Sequence, residues 1–81
     1  MEIKVVGTGC ASCKKLEESV RAVVAENNIE AEITKISDIM EIAKSGILIT
    51  PGLIIDGKIK LSGKLPEKSE VEKIILEAKN N

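Results

Sequence analysis

The spacing of apolar residues along this 81-residue chain changes repeatedly, and that rhythm limits the fold more than any other feature. Ile3, Val5 and Val6, within residues 2–7, read as a strand running into the loop Gly7-Thr8-Gly9. From Ala11 to about Asn27, Cys13, Leu16, Val20, Val23 and Val24 recur at intervals of three, four and seven. That is one face of an amphipathic helix, with Lys14, Lys15, Glu17, Glu18 and Arg21 toward water. Asn27-Asn28 ends it, because asparagine tolerates the left-handed position that closes helices. Ile29, Ala31 and Ile33 then alternate with polar residues, the period of a half-buried edge strand.

Ser37 or Asp38 can cap a short helix carrying Ile39, Ile42 and Ala43 and ended by Gly46. Leu53-Ile54-Ile55 is apolar on both faces, as a central strand must be, and Asp56-Gly57 is a two-residue hairpin signal. Lys58-Ile59-Lys60-Leu61-Ser62 places its lysines on one face, which suits an edge strand. Ser69-x-x-Glu72 predicts a capping box opening a last helix with Val71, Ile74, Ile75 and Ala78 inward. The order is β-α-β-α-β-β-α, an α/β arrangement in one domain over residues 1–81. A right-handed crossover makes the first two strands parallel, and the hairpin adds an antiparallel pair. The expected sheet is four-stranded and mixed, of order 2-1-3-4, with helices on both faces.

Composition removes most functions. Twelve Lys+Arg against 13 Asp+Glu give a formal net charge of −1, without the basic surplus that nucleic acid or an anionic membrane would require. Histidine is absent, which excludes Ser-His-Asp and Cys-His catalysis and His-ligated metals. Phe, Trp and Tyr are absent too, so no platform exists for stacking bases or sugars. The longest apolar stretches are far too short to span a membrane. Met1-Glu2-Ile3-Lys4 is too charged for the start of a signal peptide, so a cytoplasmic protein is expected, and separately a monomer. In that reducing setting two nearby cysteines point to catalysis or metal binding rather than to a structural clamp.

Cys10-Ala11-Ser12-Cys13 lies where the first strand gives way to the first helix. The unpaired N–H groups and positive dipole end of a first helical turn favour a thiolate over a thiol. A stabilisation of roughly 1–2 kcal/mol lowers a thiol pKa by about one unit, which raises the reactive fraction several-fold at neutral pH. Cys13 shares the face of Leu16 and Val20, so it is the more buried sulfur, and Cys10 precedes the helix body. This assigns attack to Cys10 and resolution to Cys13. The same string, Thr8-Gly9-Cys10-Ala11-Ser12-Cys13, resembles the loop of heavy-metal-associated copper-chaperone domains. A soft-metal carrier using both thiolates is therefore the alternative. Against it, those domains usually carry Met where Thr8 stands and run β-α-β-β-α-β. Zinc fits less well, since two thiolates without histidine cannot supply four ligands from one chain.

Over essentially its full length the chain resembles the small thioredoxin-fold proteins described as glutaredoxin-like or redox-active disulfide proteins. The matching pieces are Gly7 to Glu17, Thr50-Pro51-Gly52-Leu53-Ile54-Ile55-Asp56-Gly57-Lys58, and Ser62-Gly63-Lys64. The resemblance implies the thioredoxin fold, with Cys10 as nucleophile and Cys13 as resolving thiol. It also implies that Pro51 is a cis proline facing the disulfide, which the residues alone would not say, since only about one X–Pro bond in twenty is cis. The backbone of Thr50 would then pair with an extended substrate by strand addition, with Gly9 and Gly63 completing the binding surface. The implied activity is reduction of disulfide-containing protein substrates, recharged by an upstream reductase or dithiol. The reversible Cys10–Cys13 disulfide is then the redox group, with no other cofactor and no metal. Thioredoxin itself has Trp before the first cysteine, Gly-Pro between the pair and a buried Asp in the first strand. Here Gly9, Ala11-Ser12 and Lys4 stand in those places. Gly52 to Lys58 also matches a phosphate-loop pattern, but Ile59 replaces the required Ser or Thr and the segment reads as a hairpin.

Overall fold

In the computed structural model, which describes residues 1–9, 11–47 and 49–80, the elements follow the expected order. They are β1 (Glu2–Val6), α1 (Ala11–Glu26), β2 (Glu32–Ile36), α2 (Ile39–Ser45), β3 (Gly52–Ile55), β4 (Lys58–Ser62) and α3 (Lys68–Lys79). The sheet order is β2-β1-β3-β4, the 2-1-3-4 arrangement of the thioredoxin fold. β1 runs parallel to β2 and antiparallel to β3, and β3 runs antiparallel to β4.

Alternation along the two central strands divides the interior in two. Ile3, Val5, Leu53 and Ile55 face α1 and α3, where Leu16, Val20, Val23, Val71 and Ile75 bury against them. Val6 and Ile54 point the other way and pack with Ile47, partly covered by Ile36 and Ile42. The first layer is the larger, and it carries the helix that holds Cys13. Asp56 and Gly57 turn the hairpin with φ of 49° and 83°, the pair of positive values that a type I′ turn requires. The Asp56 carboxylate also accepts the Glu2 backbone N–H at 2.8 Å, tying the turn to the start of β1.

The structure corrects several local readings. The second strand begins at Glu32 rather than near Ile29, because the end of α1 uses Ile29. Asn28 adopts φ 51° and donates its N–H to Ala25 C=O, while Ile29 N–H reaches Val24 C=O at 3.0 Å. This is a Schellman closure, and the buried Ile29 side chain completes it against the core. In α2, Asp38 caps as expected by accepting the Met40 N–H, and Gly46 closes the helix at φ 89°. Ile39 is nonetheless 75% exposed and Ala43 is exposed, so of the apolar residues Ile39, Ile42 and Ala43 that the helix carries only Ile42 packs on the sheet. A helix of two turns offers the sheet little more than one apolar position, and its capped first turn stands in water.

The predicted capping box does not form. Glu67 is the N-cap, in extended conformation and without a side-chain bond, and its carbonyl accepts from Glu70 and Val71 N–H. The chain turns helical directly after Pro66-Glu67, which leaves Ser69 inside the first turn and frees Glu72 to accept a bond from Asn27 Nδ2 at 3.3 Å. In β4 a bulge pairs Ile54 with Ile59 and Leu53 with Leu61, skipping Lys60. Ile59 and Leu61 therefore leave the strand on opposite faces, while Lys58 and Lys60 border one hollow with Ile55 and Ala78, on one face as expected.

Candidate functional site

The strand register gathers the site at one end of the sheet. Val6 pairs with Gly52, and Gly52 pairs with Ser62. The next residues along the chain, or the preceding one in the case of β3, are Gly7, Pro51 and Gly63, so all three stand side by side beyond the same edge. Gly63 N–H donates to Pro51 C=O at 2.8 Å, which locks the last two together. Gly7 N–H donates to Ile36 C=O at 2.8 Å and ties the end of β1 to β2. From there Thr8, exposed, and Gly9, at φ 91°, lead toward α1.

Cys13 is the third residue of α1 and is 3% exposed, on the same face as Leu16, Val20 and Val23. Its sulfur is part of a disulfide rather than a free thiol. Cys10, the expected nucleophile, lies outside the described residues. The Cys13 side chain rests against Gly7: a β-carbon built on that glycine would lie 2.3 Å from Cys13 Sγ. The first turn of α1 carries no carboxylate, and Lys14 and Lys15 are exposed beyond it, so no fixed negative charge in that turn opposes a thiolate.

The Thr50–Pro51 peptide bond is cis. Pro51 is buried, while Thr50 is half-buried at the mouth of the same loop. The loop is seated from below by Ile47, 2% exposed, which fits against Gly52, where a β-carbon would lie 2.7 Å from its Cδ1. On the outer side Ile49 is 65% exposed and covers Gly63, whose φ is 78°. Sequence reasoning named Thr50, Pro51, Gly9 and Gly63 but missed Ile47 and Gly52 as the support of the loop. A glycine opening an otherwise wholly apolar strand was the signal available for it.

Lys4 takes the place where thioredoxin has a buried acid. It is half-buried on the α2 side of the sheet and pairs with Glu2 at 3.7 Å. It lines a cavity of about 260 Å³ together with Glu41, Lys44 and Ser45. Glu17, one turn beyond Cys13, has its carboxyl held below the usual range, first by its hydrogen bond from Arg21, with Lys35 on β2 adding to it. Among the described residues no helix is long and apolar enough to cross a membrane.

A four-stranded sheet of order 2-1-3-4, with a half-cystine buried at the head of α1 and a cis proline just before β3, defines a thioredoxin-fold protein. Comparison with known proteins agrees. A family model described as a thioredoxin domain matches residues 1–76. A thioredoxin of Methanothermobacter thermautotrophicus is 41% identical over 75 residues, covering 93% of this chain and 97% of its own length. A thioredoxin of Methanocaldococcus jannaschii is 40% identical over 70 residues, covering 86% of this chain and 80% of its own. The chain belongs to the thioredoxin-domain family. The copper-chaperone alternative finds no support, since the element order is β-α-β-α-β-β-α and both relatives are thioredoxins.

Proposed function

We propose that this chain reduces protein disulfides through Cys10 and Cys13. The Cys10 thiolate attacks one sulfur of the substrate disulfide, giving a mixed disulfide and releasing the first substrate thiolate, which takes up a proton. Cys13, deprotonated in turn, attacks the Cys10 sulfur. That step expels the second substrate thiol and leaves the Cys10–Cys13 disulfide. A dithiol reductant or an upstream reductase then returns two electrons and two protons. The substrate lies extended across Thr50 and Pro51, its backbone paired with Thr50, with Gly9 leaving room for its approach and Gly63 bordering the same loop.

The observation that carries this reading is the burial of the Cys13 half-cystine at the start of α1, at the sheet end that also bears Pro51. A buried resolving sulfur beside an open substrate loop is what a two-step exchange requires, because the second attack must come from within. The disulfide is the only redox group the mechanism needs. We also infer that residues 1–81 form one domain that works as a cytoplasmic monomer.

The test is equilibration in graded dithiol/disulfide buffers, with alkylated cysteines counted by mass. The expected result is one reversible two-thiol transition with a midpoint between about −300 and −120 mV, the range spanned by catalytic disulfides and their surroundings. Thiols that stay reduced in fully oxidising buffer would overturn the proposal.

A further inference from the structure

Gly7 is buried directly after β1, and its φ lies outside the left-handed region, so backbone conformation does not demand glycine there. Space does. A β-carbon at this position would sit 2.3 Å from Cys13 Sγ, 2.7 Å from its Cβ and 3.8 Å from its Cα. Contacts under 3.0 Å are essentially never made by real β-carbons. The crowding by sulfur is particular to Gly7: Gly52 and Gly63 meet isoleucines, and Gly9 and Gly57 meet none of the described residues within 4 Å. Gly7 cannot easily retreat, because its N–H is held by Ile36 C=O and its neighbour Val6 is paired on both sides.

We propose that Gly7 is the positioning residue of the redox pair, its missing side chain forming the seat in which the Cys13 sulfur is held when oxidised. This rests on the reading of Cys10 and Cys13 as that pair. In the disulfide the Cys13 sulfur is tethered and must occupy the seat. In the dithiol it is free to turn about χ1 to another staggered position. A methyl group at position 7 meets Cys13 Cβ in both forms but is forced onto the sulfur only in the oxidised one, so it raises the energy of the oxidised form more than that of the reduced form. Reduction by dithiothreitol breaks the protein S–S bond, passes two electrons and two protons to it, and leaves cyclic oxidised dithiothreitol. Gly7→Ala shifts that equilibrium toward the protein dithiol.

The experiment is the redox titration of wild type, Gly7→Ala and Val20→Ala in dithiothreitol and glutathione buffers. Val20 is buried on the same helix but away from the sulfur, so its truncation weakens both redox forms alike. The expected result is at least a tenfold shift toward the dithiol for Gly7→Ala, a midpoint about 30 mV less negative, with Val20→Ala unmoved. A folded Gly7→Ala that titrates like wild type overturns the role of Gly7 and leaves the redox pair standing. A wild type without any two-thiol transition overturns the pair and the role of Gly7 together. Should Gly7→Ala not fold, urea unfolding of Cys13→Gly with and without Gly7→Ala decides the matter. Equal midpoints support the seat, because both crowded atoms are gone. A loss as large as in the wild-type background overturns it.

Discussion

Leu16 gives the sharpest test of how the site is carried. It lies on α1 three residues beyond Cys13, is 0% exposed, and packs in the larger core layer with β1, β3 and α3 residues. Leu16→Ala removes three buried carbons, worth about 0.8 kcal/mol each in transfer free energy, or about 2.4 kcal/mol. The site is walled by two central strands and a second helix, which cannot collapse into the gap, so a cavity term adds to this. The expected total is about 3–4 kcal/mol, within the usual range for such truncations. An 81-residue domain has roughly 4–12 kcal/mol in all, so the variant is left close to the edge of folding. With a urea m-value near 1 kcal/mol/M, the midpoint falls by about 3 M. The chain has no aromatic residue, so the transition must be followed by far-ultraviolet circular dichroism rather than intrinsic fluorescence. Ile39→Ala is the comparison: 75% exposed, it should cost within about 0.5 kcal/mol. A Leu16→Ala cost below about 1 kcal/mol, or one equal to that of Ile39→Ala, would refute the assignment of this layer as the packed core.

Three further outcomes are expected. Cys13→Ser should leave the mixed disulfide between Cys10 and a substrate unresolved, so that mass analysis of the trapped adduct finds it persisting; rapid release would show that Cys13 is not the resolving thiol. Glu17 is an acid whose folded pKa lies below its ordinary value of 4.5. Its contribution to stability is thus complete above that value and lost as pH falls through the folded pKa. The stability gap between wild type and Glu17→Gln should therefore close below about pH 4.5, and a gap unchanged between about pH 6 and about pH 3 would contradict the Arg21 and Lys35 contacts. Asn28 holds φ 51° at the close of α1. Asn28→Gly should be neutral or stabilising, whereas Asn28→Ala should lower stability by about 1 kcal/mol in urea unfolding; the reverse order would deny the left-handed closure.

The strand and helix order, the sheet order and the division into two apolar layers were all legible from periodicity. Leu53-Ile54-Ile55 could only be a strand covered on both faces, and it is, with Leu53 and Ile55 in one layer and Ile54 in the other. Asp56-Gly57 and Asn27-Asn28 were read correctly because turn and cap chemistry is local: the energy lies within a few residues of one another. The failures share the opposite cause. Ser69-x-x-Glu72 has the composition of a capping box, but the chain enters α3 from Pro66 and Glu67, and Glu72 bonds to Asn27 across to α1. The bulge at Lys60 reverses the face of Ile59 relative to Leu61, and nothing in an alternating strand announces it. Ile39 has the spacing of a buried residue and lies in water because α2 is too short to keep its first turn on the sheet.

For the site, the sequence by itself supplied the candidate groups: two cysteines at the spacing of one helical turn, and no histidine. It also placed Cys13 inward, since position 13 falls on the apolar stripe of α1, and Cys13 is buried there. Only the tertiary structure decided that Gly7 lies against that sulfur and what stands beside Gly7. Gly7, Pro51 and Gly63 are far apart along the chain and meet because Val6 pairs with Gly52 and Gly52 with Ser62. Register depends on every cross-strand pair at once. No short stretch of sequence encodes the 2.3 Å that a β-carbon on Gly7 would leave to Cys13 Sγ. That distance follows from where a packed helix comes to rest on its sheet, which is set by the whole of the Leu16, Val20 and Val23 face against Ile3, Val5, Leu53 and Ile55.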